Sequence, residues 1–267
     1  MIGTISARYL PEQFTWGKIM KKSVIALALA AASVSASAAP VSTWYYGIST
    51  QWSSAGFTSG NGAKSYNSSL IGWGGAGGSS LEITQPSVLG SVTTGGAAVD
   101  ANDIAHTNNT IWSDYATLSS GTMRVNLGLE AFPYLPPADV SLSYLFNFKF
   151  IETYNNGQCA WSNGNANNNC DDIFVFAGDT SKSFSYAGEN YVASLGFDKN
   201  FIALSASDCG QFNFGAGCFA LITDENAKTT GSMNLSVKSS TVPEPGTLAL
   251  LGASLFGIAA LRRRKTG

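Results

Sequence analysis

The stretches "TMRVNLGL", residues 122–129, and "SLSYLFNFKFI", residues 141–151, share one rhythm. In the first, Met123, Val125, Leu127 and Leu129 take every second position; in the second, Leu142, Tyr144, Phe146, Phe148 and Phe150 do the same. Successive side chains of a strand point to opposite faces, so a period of two predicts half-buried β-strands. "SMNLSVK", 232–238, repeats the pattern with Met233, Leu235 and Val237. "DIFVF" (172–176), "YVASLGF" (191–197), "FIALS" (201–205) and "FALIT" (219–223) are further apolar runs set between Gly, Asn, Asp and Ser clusters. No amphipathic helical pattern stands out among them, and there is no internal repeat. The expected fold is all-β: a single β-sandwich or jelly-roll-like domain. Residues 53–80, "SSAGFTSGNGAKSYNSSLIGWGGAGGSS", are expected to form a long flexible loop with a strand or two near Trp73. A phosphate-binding loop is disfavoured, because no helix follows and no lysine closes the motif.

The ends of the chain read differently. From Met20, "MKKSVIALALAAASVSASAAP" has a basic start at Lys21 and Lys22, an apolar stretch from Val24 to Ala32, and a small-residue site at Ala36-Ser37-Ala38. This is the pattern of a secretory signal peptide, so residues 1–38 form a signal-peptide region whose probable true start is Met20. At the other end, "VPEPGTLALLGASLFGIAALRRRKTG" sets Pro243-Glu244-Pro245 before an uncharged run, Thr247 to Leu261, and then Arg262, Arg263, Arg264 and Lys265. As a helix those 15 residues reach about 22 Å, short of the roughly 30 Å hydrocarbon core. The run is apolar on all sides, and the long basic side chains can snorkel, so one short transmembrane helix over 247–261 is expected. The basic cluster places its C-terminal end on the cytoplasmic side. Residues 39–241 are then the exported domain, and 242–267 the tail.

The exported domain keeps seven basic residues against 15 acidic ones, a formal net charge of −8. An acidic, arginine-poor surface argues against nucleic acid as a partner and against gripping polyanions by charge. Four cysteines, Cys159, Cys170, Cys209 and Cys218, stand in this exported part. An even count outside the cell points to disulfides, for which three pairings are possible. Local pairing, Cys159 with Cys170 and Cys209 with Cys218, is favoured because each pair brackets a turn-rich loop, "CAWSNGNANNNC" and "CGQFNFGAGC". The spacings do not suit a zinc site.

Residues with chemical potential are few. His106 is the one histidine. In "AHTNN" it is expected to stabilise a turn together with Asn108 and Asn109, ahead of a strand beginning at Ile111. A metal ligand is the next reading and a catalytic base the last; no G-x-S-x-G elbow is present. Asp171 and Asp172 beside the Asn-rich loop are weak candidates for Ca²⁺, against a simpler role in a strand-entry turn. A glycosidase pair would draw on Glu82, Glu130, Glu152, Glu189 or Asp171, but its spacing is a matter of three dimensions. Trp44, Tyr45, Tyr46 and Trp52 form an aromatic cluster, with Trp73, Trp112 and Trp161 scattered beyond it. Core filling is their commoner role; stacking on sugar rings is the alternative.

Two resemblances add to this reading. The tail from Val242 to Gly267 resembles the PEP-CTERM sorting signal of Gram-negative, biofilm-forming bacteria. It has Pro243-Glu244-Pro245, the short apolar helix and the Arg-rich end in order. That resemblance implies cleavage near the Pro-Glu-Pro by the membrane transpeptidase-like enzyme exosortase and release toward the cell surface; proteins with this signal commonly accompany exopolysaccharide genes. Proline keeps such a cut site extended. Within the domain, "DIAHTNNTI" resembles the core of the THxN family of PEP-CTERM proteins, with His106, Thr107 and Asn108 in place and Ala105 where that family has Thr. "FKFIETYNNGQC", "CDDIFVF", "YAGENYVASLGF" and "CFALITDENAKTT" extend the similarity from about Ser91 to Val237.

Together these readings lead to an exported surface or extracellular protein that is not an enzyme. It is expected to need no cofactor and to be structural or adhesive within an exopolysaccharide matrix. A carbohydrate-binding module is the alternative, and a glycan-active hydrolase a more distant one. The expected partners are the secretion translocon and signal peptidase, then exosortase during a transient stay in the inner membrane, and finally extracellular polysaccharide.

Overall fold

The computed structural model describes residues 39–131, 138–153 and 171–240. They belong to a compact unit spanning Ala39–Thr241. The signal-peptide region, Cys159, Cys170, Trp161, Pro243, Glu244, Pro245, the 247–261 run and Arg262, Arg263, Arg264 and Lys265 all lie outside the described residues. Among the described residues, no helix is long and apolar enough to cross a membrane.

The domain is a sandwich of two seven-stranded antiparallel sheets. Seven elements build the first: β1 (Thr43–Phe57), β5 (Ser87–Thr93), β7 (Leu118–Glu130), β8 (Val140–Ile151), β9 (Asp172–Gly178), β12 (Phe201–Ala203) and β13 (Phe219–Thr223). Their order is β12-β13-β9-β8-β7-β1-β5. The second comprises β2 (Ser65–Tyr66), β3 (Leu70–Gly72), β4 (Ser80–Ile83), β6 (Val99–Asn108), β10 (Ser181–Tyr186), β11 (Glu189–Asp198) and β14 (Ala227–Ser239). They run in the order β10-β11-β14-β6-β4-β3-β2.

The alternating stretches become the strands they predict. Met123, Val125, Leu127 and Leu129 of β7 and Tyr144, Phe146, Phe148 and Phe150 of β8 are buried; between them Leu145 and Ile151 face solvent. Met233, Leu235 and Val237 of β14 close the opposing sheet. Aromatic rings fill the space between the layers: Trp44 of β1 meets Phe184, Tyr186 and Tyr191 edge-on at centroid distances of 5.3, 5.2 and 5.1 Å. Trp52 meets Phe148 at 5.5 Å. Such offset ring pairs add roughly 0.5–1.5 kcal/mol each beyond the area they bury. Polar links cross the core where a hydroxyl can reach a partner. Tyr144 donates to the Ala193 carbonyl at 2.9 Å, and Thr50 to Asn102 Oδ1 at 2.7 Å.

β9 departs from alternation, and the reason lies on its outer side. Phe174 and Phe176 face the main core, while Ile173 and Val175 join a second cluster with Cys209, Phe212, Cys218 and Ala220. A short helix, α1 (Ala206–Gln211), starts at Ser205, whose hydroxyl accepts from the Asp208 amide, and covers this face. The Cys209–Cys218 bridge ties the helix to the strand that follows. A strand buried on both faces reads as a continuous apolar run.

The glycine-rich stretch 53–80 is more ordered than its composition predicts. β1 runs on to Phe57, the short strands β2 and β3 follow, and β4 begins at Ser80. Gly60 sits at φ +151°, with the Ala116 amide where a Cβ would stand, so the two chain segments approach at backbone distance.

Candidate functional site

At one end of the sandwich three connections converge: the segment after β1, the 109–117 loop between β6 and β7, and the end of β8. Between them lies a cleft of about 600 Å³. Its walls carry the hydroxyls of Thr58, Ser59, Thr110, Thr117, Ser119 and Thr153, the rings of Trp112, Tyr115 and Phe150, and the carboxyl of Glu152. No lysine or arginine lines it among the described residues.

The Trp112 loop is held from both sides. The Asn61 amide donates to Asp114 O at 2.9 Å, the Ala116 amide to Asn61 O at 2.9 Å, and the Thr58 amide to Thr117 O at 2.9 Å. Asn109 Nδ2 donates to the Gly78 carbonyl at 3.0 Å, and the Asn109 amide to Ser79 Oγ at 3.0 Å. Within the loop the Tyr115 amide closes a turn on Trp112 O at 2.9 Å. These bonds fix the backbone, and Trp112 remains 74% exposed on it.

Behind the cleft lies a buried cluster of aromatic and polar side chains. Glu152 Oε2 accepts from the indole N–H of Trp73 at 3.2 Å. Trp73 in turn stacks on His106, with centroids 5.9 Å apart and planes at 16°, and Phe150 meets the imidazole edge-on at 5.1 Å. His106 is fully buried inside β6, paired with Leu81 on one side and Thr229 on the other. Neither ring nitrogen has a hydrogen-bond partner among the described residues. Burial without a partner lowers its pKa from 6.5 to about 3, so the ring is neutral. This corrects the expected turn role. β6 continues through Asn108, and no strand begins at Ile111. The asparagines do bond backbone carbonyls, Asn108 Nδ2 reaching Thr223 O at 3.2 Å, but His106 serves as an inward ring of the core. Thr107, on the opposite phase, is half-buried.

Asp171 and Asp172 are buried where β9 begins. The Thr153 amide donates to Asp172 Oδ1 at 2.9 Å. The carboxyls of Asp172 and Glu152 meet, and both pKa values are raised. Desolvation is the largest cause for each; for Asp172 the Glu152 charge adds to it, while for Glu152 the Trp73 bond opposes it. Burial therefore favours the protonated form of both acids, and the Glu152 charge adds to this for Asp172. Glu225 stands close behind with both carboxylate oxygens buried. Among the described residues, no group of three or more His, Cys, Asp or Glu side chains has a metal-binding arrangement. Asp172 turns toward Glu152.

The Glu152–Asp172 pair is not legible in the sequence, because the two acids flank a long intervening segment. The pairing of Ile151 with Ile173 across β8 and β9 brings them together. Of the tryptophans expected mainly to fill the core, Trp44, Trp52 and Trp73 do so, and Trp112 is the exposed one among those described.

No curated protein matches this chain. Residues 241–265 match the family model of the PEP-CTERM protein-sorting motif. That span holds Pro243-Glu244-Pro245 and the basic cluster Arg262 to Lys265. The domain just described is therefore the cargo of an exosortase-sorted, exported protein, destined for the cell surface or beyond.

Proposed function

We propose that the domain is a non-catalytic structural or adhesive component of an exopolysaccharide matrix. In this reading, signal peptidase removes residues up to about Ala38 after passage through the translocon. The 247–261 helix then holds the protein briefly in the inner membrane of a Gram-negative cell. Exosortase cuts near Pro243-Glu244-Pro245 and releases the sandwich. The observation that carries the reading is the sorting motif directly following a β-sandwich stapled at Cys209–Cys218.

Two features support a role without turnover. Glycoside hydrolysis sets two carboxyls about 5–9.5 Å apart, on either side of the scissile bond. Glu152 and Asp172 instead lie side by side, with Asp172 fully buried and its pKa raised by desolvation and by the Glu152 charge. His106, the one histidine, is sealed in the core and neutral. The alternative, a carbohydrate-binding module, is favoured by the exposed Trp112 at the cleft.

The test is fractionation of the producing cells. The mature chain should be recovered in the matrix fraction, with an intact mass lacking both the signal region and everything beyond the Pro-Glu-Pro. Deleting the gene should loosen the matrix without changing polysaccharide chain length. A surface chain that retains Arg262 to Lys265 would sink the sorting route, and shortened polysaccharide produced by the purified protein would make it an enzyme.

A further inference from the structure

We propose that the cleft between the 109–117 loop and the end of β8 is a binding site for an uncharged glycan segment, with Trp112 as the stacking platform. The proposal rests on the matrix reading above and names the site and ligand class through which the domain would adhere.

A sugar ring offers two kinds of surface. Its C–H faces are apolar and pack on an aromatic plane; its hydroxyl edges need partners that donate and accept. The cleft supplies both. Trp112, 74% exposed, presents a large ring at the rim. Serine and threonine hydroxyls, such as Thr58, Thr110 and Ser119, line the walls, and each can donate or accept. The Glu152 carboxyl is fixed by Trp73 at 3.2 Å, so it does not have to be ordered on binding. A volume of about 600 Å³ falls within the roughly 300–1,000 Å³ usual for small-ligand sites.

A lone exposed aromatic is ordinary on protein surfaces. Trp112 differs because its loop is pinned by the bonds from Asn61, Thr58 and Asn109. A backbone held beforehand removes the loop-ordering part of the cost that weakens binding by mobile loops.

Charge selects the ligand class. Among the described residues, no lysine or arginine lines the cleft to meet a uronate or sulfate. An anionic sugar would be desolvated there with no cation to pair it. A neutral hexose polymer meets no such penalty.

The experiment uses the surface-released protein and two sets of probes: dextran, laminarin and mannan as neutral polymers, alginate and hyaluronate as anionic ones. Retardation in affinity gels and titration calorimetry read the binding. At least one neutral polymer should bind, with little change between low and high salt, and Trp112→Ala should weaken that binding tenfold or more at an unchanged melting temperature. Leu89→Ala, an exposed apolar change on β5, serves as the control and should bind as the wild type does. Neutral binding that survives Trp112→Ala would overturn the site while leaving the matrix role standing. Binding confined to alginate or hyaluronate and lost with salt would overturn the ligand class. If none of the five polymers binds, the proposal fails; recovery of the protein in the matrix fraction is measured separately and decides the broader reading on its own.

Discussion

The unpartnered imidazole of His106 makes the sharpest energetic prediction. Its pKa is about 3 in the folded protein, against an ordinary value of 6.5. Between those values the unfolded chain binds a proton that the folded chain refuses. Stability rises with pH wherever the unfolded state holds more protons, so this contribution is present above the ordinary histidine range and is lost as pH falls toward 3. At 1.36 kcal/mol per pKa unit the complete loss is about 5 kcal/mol, and the part falling between about pH 7 and pH 4 is about 3 kcal/mol. Glu152 and Asp172 act in the opposite sense over the same window: their raised pKa values let the folded state keep protons that the unfolded state gains only on acidification. The wild-type profile alone therefore mixes two slopes. His106→Leu separates them, because it removes the titrating ring and leaves the carboxyl pair. The assay is urea unfolding followed by tryptophan fluorescence at several pH values. The wild-type-minus-variant difference should move by about 3 kcal/mol against the wild type between about pH 7 and pH 4. A difference that stays flat across that window would refute the sealed, neutral histidine.

Asp172→Asn should flatten the alkaline side of the profile. Raised carboxyl pKa values confer stability below the ordinary carboxylate range that is lost as pH rises through the folded values, so the wild type should weaken from about pH 5 to pH 9 and the variant less; urea midpoints at the two pH values decide it. Replacing both Cys209 and Cys218 by alanine reopens a loop of sequence separation 9 and should cost roughly 2.5 kcal/mol, seen in calorimetry as a melting temperature lower by about 5–10 °C. Trp52→Ala empties a site packed by Phe148 and Phe174 and should cost roughly 3–5 kcal/mol, whereas Trp112→Ala at the exposed rim should stay within about 0.5 kcal/mol by the same measurement.

Much of this protein is legible without coordinates. The sorting tail is a linear signal, read by other proteins as a stretch of chain, so its meaning survives without a fold. β7, β8 and β14 declare themselves because each buries one face and leaves the other to solvent, which imprints a period of two on the residues. Cys209–Cys218 is visible because nine positions of separation make the closure local. Other features belong to the tertiary structure alone. β1 interleaves Ser, Thr and Gly with its rings and β6 carries Asp, Asn and Thr; neighbours on both sides complete the backbone hydrogen bonds of each. β9 hides its alternation because α1 covers its outer face. His106 sits in a polar string that reads as a turn, yet the strand continues and carries the ring between Trp73 and Phe150. The Glu152–Asp172 pair and the Trp112 cleft draw on segments far apart in the chain, brought together by strand register. Sequence records what each residue prefers locally; which distant residues share a wall, and hence a ligand, depends on how the two sheets pair and close.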